Sequence, residues 1–168
     1  MIALDTNLLV YAHREDSPHH EAATRALTDA VAAAGGVAIP WPCLHEFLAI
    51  VTHPRIYDPP TPVATALYAV QALADAPSVH LIGEGASHLG VLADLLKSGA
   101  VVGPRVHDAR IAAICLAHGV DALWSVDRDF SWFPTLTVVN PARRWTDRRL
   151  APELSWRCRW VVTGWTPT

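Results

Sequence analysis

Four acidic residues stand apart from the other charges of this chain. Asp5 is the only charged side chain in the first twelve residues. Glu46 is the only acid between Asp29 and Asp58, and Asp108 is the only acid between Asp94 and Asp121. Asp127 follows the apolar run Ala122-Leu-Trp-Ser-Val126. Glu46 lies within Cys43-Leu-His-Glu-Phe-Leu-Ala-Ile-Val51, and Asp108 opens Ala109-Arg-Ile-Ala-Ala-Ile-Cys-Leu116, so neither belongs to a regularly charged helix face. Glu46 is therefore expected among apolar neighbours and away from solvent. If the four meet, they repel. Two carboxylates ~4 Å apart conflict by about 4 kcal/mol at an effective dielectric of about 20, and one or more would then hold its proton. A hard divalent cation with oxygen ligands, Mg²⁺ or Mn²⁺, removes the conflict. Such an ion lowers the pKa of a bound water and stabilises charge on a phosphoryl group, which is the chemistry of phosphodiester hydrolysis. Taken singly, each acid also fits a plainer role: Asp5 and Asp108 as helix N-caps, Asp127 as a turn residue.

The elements that must position these acids are short and alternate in type. Apolar runs at 2–4, 37–39, 79–82, 122–126 and 136–139 read as strands. Between them fall helices: one from Leu8 capped by Thr6-Asn7, one over 19–34 stopped by Gly35-Gly36, and one from Pro42 to about Thr52. Three more cover 62–75, 84–98 and about 107–118. Strands alternating with helices give an α/β class with a mainly parallel sheet. Asp5 and Asp127 then sit at the C-terminal ends of strands, the edge where open α/β sheets bind ligands.

Composition narrows the class. Of 168 residues, 51% are hydrophobic and 17% charged, enough apolar material for one packed core. No apolar run approaches the ~18 residues of a membrane span, and Met1-Ile-Ala-Leu-Asp5 lacks the basic start of a signal peptide. Cys43, Cys115 and Cys158 are odd in number and far apart, which suits reduced thiols in a cytoplasmic protein. His45-Glu46 begins a zinc-like motif that fails at Ala49, and Asp5-Thr6-Asn7 lacks the second Asp of a phosphatase nucleophile loop. There is no Gly-rich phosphate loop. Residues 1–141 carry 7 Lys+Arg against 14 Asp+Glu, whereas 142–168 carry 6 Arg against 2 acids. An acidic body needs cations or a basic partner to accept a nucleic acid.

The segments Leu4-Asp-Thr-Asn-Leu-Leu-Val-Tyr-Ala12, Glu46-Phe47 with Val51-Thr-His-Pro54, His107-Asp-Ala-Arg-Ile-Ala-Ala113 and Ser125-Val-Asp-Arg-Asp-Phe130 together resemble the PIN-domain ribonucleases. The likeness is greatest to the VapC-type toxins of bacterial toxin–antitoxin pairs, and it spans about residues 1–141. The resemblance implies a three-layer fold with a five-stranded, mainly parallel sheet flanked by helices. It also implies an Mg²⁺- or Mn²⁺-dependent endoribonuclease, usually a homodimer, restrained by a cognate antitoxin. Carried over, Asp5, Glu46, Asp108 and Asp127 are the catalytic, metal-binding acids. Asn7, Ser125 and Asp129 match supporting positions, with capping or turn roles as the alternative for Asn7 and Ser125. The other functional reading is an idle PIN fold that only binds RNA or protein.

Two features extend this pattern. The helices between residues 40 and 75 have few charged faces, which suggests an apolar groove for an antitoxin helix, or a core or homodimer surface. Residues 142–168 fall beyond the resemblance and form a basic extension with four of the seven tryptophans. Arginine interleaved with tryptophan can pair with phosphates and stack on bases. The short Arg143-Arg144 and Arg148-Arg149 pairs favour an accessory extension to a 1–141 nuclease domain.

Overall fold

The structure is a computed structural model in which residues 1–33 and 35–141 are described. The basic extension, and with it the boundary at 141, lies outside the described residues. The expected strands form at β1 (Ile2–Leu4), β2 (Val37–Pro40), β3 (Val79–Ile82), β4 (Ala122–Trp124) and β5 (Val138–Val139). The helices are α1 (Thr6–His13), α2 (His20–Ala32), α3 (Trp41–Val51), α4 (Val63–Ala74), α5 (His88–Ser98) and α6 (Arg105–Ala117), with a 3₁₀ turn at Asp129–Trp132. None of these helices is long and apolar enough to cross a membrane.

The sheet has the order β3-β2-β1-β4-β5, and every pairing is parallel. All four residues of β2 are buried, as in a strand covered on both faces. Chain order explains the cover. The crossovers from β1 to β2 and from β2 to β3 step one way across the sheet, and the crossover from β3 to β4 returns past β1. Right-handed connections then place α1–α4 on one face and α5–α6 on the other. Between β1 and β4 the direction of winding reverses, so a crevice opens at their C-terminal ends. Leu4 lies opposite Trp124, and the Asp5 N–H donates to the Trp124 carbonyl at 3.1 Å. The residues that follow these two strands are Asp5 and the Ser125-Val-Asp127 segment.

Local signals account for the element ends and for two corrections. α1 begins at Thr6, and its N-cap is Asp5, whose carboxylate accepts the Thr6 N–H at 2.8 Å. Thr6-Asn7 is thus inside the helix and does not cap it. α6 begins at Arg105, directly after Pro104, because proline is well tolerated at a helix start. Asp108 is therefore one turn into the helix and is not its cap. Gly36 has φ +64°, and a Cβ there would stand 2.8 Å from the Ser78 carbonyl oxygen, so this turn into β2 requires glycine.

The core joins both helical layers through the sheet. Leu4, Leu8, Ile39, Leu44, Phe47, Ile114 and Leu123 are almost fully buried. Phe47 anchors α3, the helix that carries Glu46, and its ring meets the edge of His13 at 5.2 Å. Phe47→Ala removes a side chain that is 2% exposed and should destabilise the fold by about 3–5 kcal/mol. Urea denaturation followed by circular dichroism measures this; an unchanged midpoint would show that α3 is not anchored there.

Candidate active site

The crevice is an open cleft of about 260 Å³. Asp5, Glu46, Asp108 and Asp127 all line it, and among the described residues no Lys, Arg or His does. Asn7 lines it as well, and Tyr11, Tyr57 and Phe130 add aromatic walls. Four elements deliver the acids: the end of β1, the middle of α3, the first turn of α6 and the segment after β4.

Asp5 is the centre of the arrangement. It is 4% exposed, yet its carboxylate accepts four hydrogen bonds. Oδ1 accepts the Thr6 N–H, and the Cys43 thiol lies 3.8 Å from it. Oδ2 accepts the Ser125 hydroxyl at 2.6 Å and the Asn7 amide at 2.6 Å. Ser125 in turn accepts from Asn7 Nδ2 at 3.0 Å and from the Asp127 N–H at 2.9 Å. One hydroxyl thus ties the ends of β1 and β4 together. Burial pushes the Asp5 carboxyl up to about 6, reinforced by the charges of Glu46 and Asp127 and opposed by the Ser125 and Thr6 hydrogen bonds. Burial also raises Asp108, with Asp127, Asp129 and Glu46 adding repulsion. The buried Cys43 and Cys115 thiols are raised too, first by burial and then by the Asp5 charge, so both remain protonated near neutrality.

The other acids are more open. Glu46 is exposed, which corrects the expectation that apolar neighbours shield it. Its flanking residues Leu44 and Phe47 turn into the core, and Glu46 itself faces the cleft. Glu46 Oε2 accepts the Thr6 hydroxyl at 2.6 Å. Thr6 is the residue that the sequence did not reveal, since only the packing of α1 against α3 brings it to Glu46. Asp127 is exposed, and its Oδ1 accepts the Asp129 N–H at 2.9 Å, an Asx-type turn that starts the 3₁₀ segment. Asp129 lies outside the cleft lining and reaches the site through its charge on Asp108.

The donor set is all oxygen, and no basic side chain among the described residues lining the cleft offsets its negative charge, which fits a hard divalent cation. As the side chains stand, no three His, Cys, Asp or Glu groups among the described residues share one ion position. Asp5 and Glu46 direct oxygens into the hydrogen bonds just described, and the exposed Glu46 and Asp127 side chains have solvent space in which to turn.

The family model for the PIN domain matches residues 2–134. The chain belongs to the PIN-domain family. Among its curated relatives, Ribonuclease VapC31 of Mycobacterium tuberculosis is 33% identical over 141 residues, covering 84% of this chain and 99% of the relative. Ribonuclease VapC48 of the same organism is 29% identical over 137 residues, covering 82% and 94%. The PIN domain described here is thus of the VapC kind. Solved structures agree on the fold. Mycobacterium tuberculosis VapC20, a Sarcin-Ricin loop cleaving toxin, superposes with a TM-score of 0.60 at 17% identity, over 78% of this chain and 93% of that one. The VapBC2 complex of Rickettsia felis, bound to a DNA fragment from its promoter, gives 0.58 at 19% identity, over 83% and 98%.

The raised Asp5 has a measurable consequence for the metal-free PIN domain. An acid held higher in the folded state than its ordinary 3.8 favours folding while protonated. Its contribution is full below about pH 4 and is lost as pH rises through about 6, a change of about 3 kcal/mol. In excess EDTA, wild-type stability should fall over this window relative to Asp5→Asn, and the difference between the two proteins isolates Asp5. Asparagine places an amide N–H₂ where Oδ2 now accepts from Asn7 and Ser125, so the gain at neutral pH should be smaller than the full 3 kcal/mol. Parallel stability–pH curves would show that the Asp5 carboxylate is not strained by burial.

Proposed function

We propose that this chain is a Mg²⁺- or Mn²⁺-dependent endoribonuclease, the toxin of a toxin–antitoxin pair, with Asp5, Glu46, Asp108 and Asp127 as its metal-binding acids. The observation that carries this reading is one cleft lined by four carboxylates and, among the described residues, by no basic side chain, at the point where the sheet reverses its winding. The VapC relatives supply the substrate class, and the toxin–antitoxin complexes among the structural neighbours supply the partner class. A divalent cation held by these acids would lower the pKa of water and offset the charge of a scissile phosphodiester.

The chain's own residues prepare that chemistry. Ser125 and Asn7 fix the Asp5 carboxylate and leave it little freedom to rotate. Thr6, whose N–H binds Asp5, restrains Glu46 through its hydroxyl. The Asp127 carboxylate is oriented by the Asp129 N–H, and its backbone is tied to Ser125. Asn7 also accepts from the Val126 N–H at 3.4 Å, which extends the same network along the loop. Exposed apolar side chains on and before α4 suit an antitoxin helix: Val63, Leu67 and Tyr68 on α4 are 62%, 50% and 62% exposed, and Ile56 before it is 53% exposed.

With Mg²⁺ or Mn²⁺, the chain should cut RNA internally, and excess EDTA should stop it. Asp108→Asn and Glu46→Gln should each lower cleavage by more than the roughly 10–100-fold expected for loss of an outer-shell partner. Mn²⁺ should raise the melting temperature of the wild type and have less effect on Asp108→Asn. RNA binding without metal-dependent cleavage would instead identify an idle PIN module. Expression of the chain alone should slow growth, and co-expression of its antitoxin should restore it.

A further inference from the structure

The acidic cleft leaves one question about its substrate: what holds a polyanion beside four carboxylates. The described residues provide an answer at the foot of α6. The Arg105 guanidinium carbon lies 4.3 Å from the centroid of the Trp132 ring. Both side chains are exposed, Trp132 at 45%. Among the described residues Arg105 makes no ion pair, unlike Arg14 and Arg110, which are engaged by Asp16 and Glu84. An exposed indole with an unneutralised cation on it gains little for the fold, since such exposed pairs contribute about 0.5–1 kcal/mol.

Its position relates it to the cleft. Arg105 is three residues before Asp108 on α6, so the two share a helix face. Trp132 is three residues after Asp129 in the 3₁₀ segment, where side chains so spaced eclipse one another. Asp108 and Asp129 are close enough to interact electrostatically. The acidic pair and the Arg105–Trp132 pair therefore lie side by side across the same two elements, about one helical turn apart.

We propose that Arg105 and Trp132 form a nucleotide subsite for single-stranded RNA next to the acidic cleft, with Trp132 stacking on a base and Arg105 pairing with the adjoining phosphate. The substrate class rests on the ribonuclease reading; the subsite itself rests on this juxtaposition. Base stacking on an aromatic ring tolerates any base, so this subsite supplies affinity and register and leaves sequence choice to other contacts. Arginine suits the position better than lysine, because its planar group stacks on the indole while its edge still donates to phosphate.

The test uses the full chain in EDTA with a short fluorescein-labelled single-stranded RNA, read by anisotropy across salt concentrations, and cleavage of the same RNA in Mn²⁺. Trp132→Ala should weaken binding about tenfold. Trp132→Phe should recover much of that loss. Arg105→Ala should weaken binding and make the plot of log affinity against log salt shallower by about 0.7. In cleavage, KM should rise in both alanine variants while kcat changes little. Circular dichroism and melting temperature should match the wild type, since both side chains are exposed. Unchanged affinity and salt slope in folded variants would overturn the subsite, as would a wild type that does not bind RNA, or variants that lose only antitoxin binding. RNA binding that depends on these residues in a wild type that never cleaves would uphold the subsite and reject the nuclease reading.

Discussion

The buried carboxylate of Asp5 imposes the constraint on which the site depends. It sits at the end of a central strand, almost without solvent, and the described residues answer its charge with hydrogen bonds and no basic side chain. The Ser125 hydroxyl is the critical partner, because it also receives Asn7 and the Asp127 backbone. Two parallel strands thereby become one rigid support for two acids from opposite ends of the sequence. The residual cost of burial stays on Asp5, whose carboxyl is pushed up to about 6.

A gradient of solvent access runs across the four acids. Asp5 is buried, Asp108 half-buried, and Glu46 and Asp127 exposed. The least accessible oxygens belong to Asp5, and the most accessible to Glu46 and Asp127. This distribution suits a cation that keeps several waters and takes only a few carboxylate ligands. Tyr11, Tyr57 and Phe130 add aromatic surface to the walls of the cleft. Tyr57 is itself held by Arg14, whose guanidinium lies 4.0 Å from its ring centroid and is paired with Asp16.

Much of this order could be read from the residues because local and global signals agree. Apolar runs ending in an acid mark the strands, and Pro42, Pro54 and Gly119 mark helix boundaries close to those observed. The isolation of the four acids pointed toward a shared cleft. Other features depend on contacts that sequence spacing does not encode. The Thr6–Glu46 hydrogen bond joins residues 40 positions apart and exists only because α1 lies against α3. Glu46 could not be recognised as exposed, because an apolar helix shows which residues can be buried but not which side opens onto a crevice. The start of α1 shifted for a related reason: Asp5 satisfies both the helix and the site, so one residue takes two roles that the sequence presents as alternatives.

That double role bears on how an inert form of the protein should be prepared. Asp5 caps the first turn of α1, so replacing it with a residue that cannot cap alters a helix terminus along with the chemistry. Glu46 projects from the middle of α3 and supports no backbone hydrogen bond among those described. On the proposed metal-binding role of Glu46, a glutamine at position 46 would lower activity while leaving the scaffold close to the native one. For an inactive variant that keeps the native scaffold, position 46 is therefore the less invasive place to intervene.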